Sequence, residues 1–74
     1  MARNPGARAL QKWREERGLT MRAAADEIGV DASYVCMLEG GTRTPSAATS
    51  LEIERVTGVP MRSWYETPKR GRAA

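Results

Sequence analysis

The sequence predicts an all-α domain of five short helices, and three observations lead to it. Apolar residues recur at helical spacing, as at Ala24, Ala25 and Ile28 and again at Val35 and Leu38. Glycines stand where successive helices must stop, at Gly18, Gly29 and Gly58. No run alternates apolar and polar residues as a half-buried strand would, and there is no internal repeat. A chain of 74 residues has room for one such domain and little core to spare. Domains this small commonly draw stability from a staple, a metal or a partner.

Taken in order, Met1 to Gly6 reads as a flexible N-terminal arm, because Asn4-Pro5-Gly6 is a turn or breaker signal. Ala7 to Arg17 reads as the first helix, with Leu10 and Trp13 three apart and Arg14 and Arg17 continuing that side. Trp13 is assigned to the core rather than to a stacking platform, since the chain has no phenylalanine to fill a centre. Thr20 caps the second helix through its hydroxyl, and Gly29 ends it in a backbone conformation of positive φ. Val30 is an apolar plug, and Asp31 is the N-cap of a third helix that turns Val35 and Leu38 inward. Gly40 to Thr44 forms a loop. Thr44 and Pro45 then serve as N-cap and first residue of a fourth helix running to about Thr57. Leu51, Ile53 and Val56 are its large apolar residues. Met61, Trp64 and Tyr65, at i, i+3 and i+4 after Pro60, suggest a short fifth helix. The folded domain is placed at residues 7–66, and residues 67–74 read as a basic, disordered tail.

The net charge of +3 comes from that tail. Lys69, Arg70 and Arg72 lie in it, and up to Glu66 nine basic side chains are balanced by nine acidic ones. Any electrostatic attraction of the domain to a polyanion must therefore come from the placement of charges rather than their total. Histidine is absent and Cys36 is the only cysteine, which excludes a disulfide within the chain and a four-ligand zinc site. Catalysis has no obvious residues either. The acids are scattered over polar helix faces, and Glu39, three residues after Cys36, opposes a thiolate there. No glycine-rich phosphate loop follows a strand. No enzyme, metal or cofactor is expected. No apolar run is long enough to cross a membrane and none resembles a signal peptide, so the expected location is cytoplasmic, in association with the nucleoid.

The stretch Thr20–Glu39 organises the rest. A small residue (Ala25), a three-residue gap, Gly29, an apolar plug, a cap and apolar residues three apart describe two helices crossing steeply where a side chain is small. That is the pattern of a DNA-binding helix-turn-helix. From about Leu10 to Trp64 the chain resembles the lambda-repressor and Cro-like (XRE-type) helix-turn-helix family. The residues that carry the likeness are Leu10, Arg14, Gly18-Leu19-Thr20, Ala24 to Val30, Ser33 to Val35, Leu38, Glu39, Gly41, Pro45, Gly58 and Val59. Glu54 departs from it, standing where the family has a small buried residue. Either Glu54 finds a basic partner or the fourth helix is rotated.

The resemblance implies a compact five-helix, lambda-repressor-like DNA-binding domain whose third helix enters the major groove. Carried over, the base-reading positions are Ala32, Ser33 and Met37, with Cys36 beside them. Of these only Ser33 is a strong hydrogen-bonding group, while Ala32 and Met37 could pack on thymine methyl groups. Met37 could instead belong to the core. Phosphate contacts are assigned to Thr20, to Met21 (where the family has glutamine, so one contact is lost), and to Arg22, Tyr34 and Arg43. Arg3 on the arm could reach a groove or simply be solvated. Arg14 and Glu39 correspond to the family's ion pair, which orients the third helix. Met61, Trp64 and Tyr65 are assigned to a dimer interface, with the alternative that Trp64 caps its own core.

The expected function is that of a sequence-specific transcriptional regulator, a repressor of phage, mobile-element or antitoxin type. It would act as a homodimer on a two-fold site in double-stranded DNA. The alternative is a protein-interaction module that keeps the fold without reading DNA, suggested by the apolar set Ala32, Cys36 and Met37.

Overall fold

Asn4, Pro5 and Gly6 open the first helix rather than preceding it. Asn4 Oδ1 accepts the Ala7 amide at 2.7 Å and Pro5 takes the first helical position, where its missing N–H costs nothing. The breaker signal is thus a start signal. The structure, a computed structural model, describes residues 4–65. Arg3 and the basic tail lie outside the described residues.

Within them the chain is all-α: α1 (Pro5–Glu16), α2 (Met21–Ile28), α3 (Ala32–Gly40), α4 (Ala47–Thr57) and a 3-10 helix (Met61–Trp64). The last, a single 3-10 turn, stands where the short fifth helix is expected. Gly18, Gly29, Gly41 and Gly58 all have positive φ. Gly29 is the one on which the site depends, because its φ of 93° turns the chain from α2 into α3 within three residues. Its amide and that of Val30 both return to the Ala25 carbonyl, at 2.7 and 3.0 Å.

The fourth helix starts later than the Thr44-Pro45 signal suggests. Ser46 is the N-cap, its Oγ accepting the Thr49 amide at 3.3 Å, and Pro45 is buried ahead of it. Of the large apolar residues of α4, Ile53 is buried, whereas Leu51 is 55% exposed. Glu54 has no basic partner among the described residues. It is exposed, and Oε1 accepts the Met61 amide at 3.2 Å, linking α4 to the first residue of the 3-10 helix.

Ala7, Leu10, Ala25, Ile28, Val35, Leu38, Ile53, Val59 and Trp64 form one buried cluster drawn from every element. Trp64 is its largest member, only 2% exposed, and its placement corrects its assignment to a dimer surface: the indole fills the domain's own core. What admits it is Gly6. A Cβ built on Gly6 would lie 2.5 Å from Trp64 Cδ2 and 2.7 Å from Cε3, so the ring packs on the bare backbone at the start of α1. Trp13, predicted for the core, is half-buried and packed against this cluster, and the Arg17 guanidinium lies over its ring at 5.2 Å from the centroid. The Tyr65 hydroxyl donates to the Pro45 carbonyl at 2.8 Å, which ties the residue after the 3-10 helix to the segment before α4.

Candidate nucleic-acid interface

The site is built on the α2–turn–α3 unit. Ala24, Ala25 and Ile28 of α2 and Val35 and Leu38 of α3 are buried, so the opposite faces of both helices are turned outward together. Ser33, Cys36 and Met37 lie at i, i+3 and i+4 along α3 and share its outer face. Ser33 and Cys36 are exposed and Met37 is half-buried, without being among the apolar residues packed on the core cluster. Ala32 differs from them, because its methyl is packed against that cluster.

A cleft of about 330 Å³ opens between α2 and the start of α3, lined by Arg22, Ala25, Asp26, Val30, Asp31, Ala32 and Ser33. It brings the predicted phosphate ligand Arg22 beside the predicted base-reading residues Ala32 and Ser33. Thr20, at the head of α2, is exposed, and its Oγ1 accepts the Ala23 amide at 3.0 Å, which leaves the hydroxyl hydrogen free to donate. Met21 does not present its side chain outward; it is packed against the core, consistent with a residue that cannot replace a polar contact. Tyr34 is likewise partly buried, and the exposed Arg43 lies over its ring at 5.8 Å from the centroid. Arg43 is therefore held toward α3 from the loop that follows it.

Arg14 fastens this unit to the rest of the domain. Its Nε donates to Glu39 Oε2 at 2.7 Å and Nη2 to Oε1 at 3.0 Å, a two-point pairing with fixed orientation. Nη1 donates to the Leu19 carbonyl at 3.0 Å, immediately before the cap of α2. One guanidinium on α1 thus holds the entry to α2 and the end of α3 together. The pair is nearly dry, with side-chain exposures of 15% for Arg14 and 4% for Glu39. The hydrogen bond to Glu39 raises the Arg14 pKa above its ordinary value, against an opposing effect of burial. On the far side Arg17 pairs with Glu27 at 3.2 Å, an exposed link between α1 and α2.

Asp26 and Asp31 were not foreseen as part of this face; Asp31 reads from sequence only as a cap. Its carboxylate makes no cap bond. The signal available was charge: two acids lie within a stretch otherwise matched to a polyanion, at positions flanking the turn.

Residues 10–64 match the model of the family described as helix-turn-helix. No curated protein matches the chain. Among solved structures, the restriction-modification controller protein C.AhdI from Aeromonas hydrophila is similar, with a TM-score of 0.67 and 27% sequence identity. The likeness covers 81% of this chain and 91% of that one.

Proposed function

This chain belongs to the XRE-type helix-turn-helix family, and from that premise we propose how it works as a DNA-binding transcriptional regulator of the mobile-element sort. Helix α3 lies in the major groove, with Ser33 and Met37 against base edges and Cys36 beside them. Thr20, Arg22 and Arg43 hold the flanking phosphates, and Tyr34 acts mainly as the support for Arg43. The observation that carries this reading is the cleft in which Arg22 and Ser33 meet beside an outward α3 face that the core leaves free.

The regulator works as a homodimer on a two-fold operator, in the manner of a repressor. A single recognition helix buries too little surface for tight, selective binding, and two-fold protein symmetry doubles the contacts. With Trp64 committed to the core, the dimer surface is formed by the exposed Tyr65 (53%) and Leu51, with Met61 at its edge. The likeness to C.AhdI, a restriction-modification controller protein, supports a regulator of this kind.

Selection of bound sequences from random duplexes tests the reading. A two-fold motif is expected, and Arg43→Ala should weaken binding to all duplexes alike while reducing the salt slope by about one unit. Absence of any enriched motif would reject it in favour of an interaction module using the apolar Cys36 and Met37 face.

A further inference from the structure

We infer that Asp31 is a specificity-determining residue whose carboxylate accepts a hydrogen bond from the N4 amino group of a cytosine in the major groove. This rests on the proposal that α3 reads that groove. Asp31 immediately precedes Ala32 and Ser33 and lines the cleft that they share with Arg22. Its side chain is not occupied by any of the described residues. Where Asn4, Thr20 and Ser46 each receive a helix amide on a side-chain oxygen, Asp31 does so only through its backbone carbonyl, which takes the Tyr34 and Val35 amides at 3.0 and 3.1 Å. The residue is exposed, and its carboxylate has no hydrogen bond or ion pair with any described residue, including the Arg22 of the same cleft.

A free carboxylate on a face that approaches DNA is repelled by phosphates and needs a donor. The base edges of the major groove offer only two. Guanine presents acceptors alone, and thymine an acceptor and a methyl group; cytosine presents its N4 amino group, and adenine an N6 amino group beside the N7 acceptor. The N7 lone pair opposes a second carboxylate oxygen, so cytosine is the better match. Asp31 thereby supplies an acceptor-only element that the serine hydroxyl, which both donates and accepts, lacks.

The second carboxylate of the cleft provides the control. Asp26 lies on α2, and removing its charge should relieve general repulsion without altering base choice. Selections from random duplexes would be run with the parent, Asp31→Asn, Asp31→Ala and Asp26→Asn, each checked for folding by thermal melting. Asparagine keeps the size and shape of aspartate and is equally suited to the extended backbone of an N-cap position, so Asp31→Asn keeps the test open should the alanine variant not fold. The parent should enrich cytosine at one position in each half-site. Replacing that cytosine by 2-pyrimidinone, which lacks the N4 amino group, should weaken parent binding on the order of tenfold. Asp31→Ala should be indifferent to the replacement, and Asp31→Asn should shift toward adenine, which an amide can meet through both N6 and N7. If Asp31→Ala or Asp31→Asn selects the parent's bases and gains affinity uniformly, as Asp26→Asn should, the inference is overturned while groove reading by α3 stands. If the parent enriches no motif, both fall.

Discussion

The two ends of this small domain are built on opposite principles. At the junction of α1 with the 3-10 helix, Trp64 lies on the bare backbone of Gly6, with a Cβ there excluded at 2.5 Å. At the outer face of α3, Ser33 and Cys36 are exposed, and the Asp31 carboxylate has no partner among the described residues. The first region is specified by shape, where one side chain suits because its neighbour has none. The second is specified by what the core does not use. A domain with so small a core concentrates its packing in one large aromatic contact and leaves the outer face of α3 out of that packing. Substitutions at the two ends should therefore separate: the junction governs stability, the face governs choice.

The largest effect is expected at the junction. Trp64→Ala should cost about 3–5 kcal/mol in urea or thermal unfolding, a large part of the stability available to a domain of this size. Gly6→Ala, the gentlest of changes by sequence, should cost about 1–3 kcal/mol because a methyl group must displace the indole or the start of α1. Since both act on one contact, Gly6→Ala should cost much less when placed in the Trp64→Ala background than in the parent. Equal costs in the two backgrounds would show that the ring does not bear on Gly6.

Between the two regions stands the Arg14–Glu39 pair. Glu39→Gln leaves a nearly buried guanidinium facing neutral acceptors alone, and Arg14→Met takes from a nearly buried carboxylate its two-point cationic donor. Each should cost about 3 kcal/mol, with the double variant well short of the sum. The comparison sharpens here, because the pair belongs to the scaffold but holds the reading helix. DNA affinity should fall more than the lost folded fraction accounts for, while the preferred bases stay the same. Additive stability costs would sink the coupling.

What the sequence makes legible follows the same division. The α2–turn–α3 unit is written in local signals: Thr20 as a cap, Gly29 at positive φ, and small residues at a helix crossing. Each acts within a few positions, so spacing alone locates them. The Arg14–Glu39 pairing was accessible only through the family resemblance, since nothing local links residues 25 positions apart. Contacts between the ends of the chain were not legible. Asn4-Pro5-Gly6 carries the same letters whether it breaks a chain or starts a helix, and the choice is made when Trp64 covers Gly6. Trp64 in turn looked like surface because its spacing with Met61 and Tyr65 defines a face without saying what that face meets. Ser46 overrides Thr44 as the cap of α4 because Pro45 is buried and its carbonyl receives Tyr65, a tertiary demand with no local mark.

The smallest effect, and the one that most directly probes the reading face, concerns Met37. Its side chain is half-buried on the outer side of α3 and is not packed on the core cluster, so it is available to an apolar group in the groove. The major groove offers one such group, the thymine methyl. Replacing the thymine that meets Met37 with uracil removes only that methyl and should cost on the order of 1 kcal/mol, the value of burying one such group. Met37→Gln should change the preferred base at that position and leave the salt slope unaltered, because no phosphate contact is lost. Its effect on unfolding should be under about 0.5 kcal/mol, as expected of a substitution away from the core. A loss of stability approaching that of a core truncation, with uracil neutral at every position, would move Met37 to the packed side. Selectivity would then be left to Ser33, Asp31 and the sequence-dependent shape of the duplex.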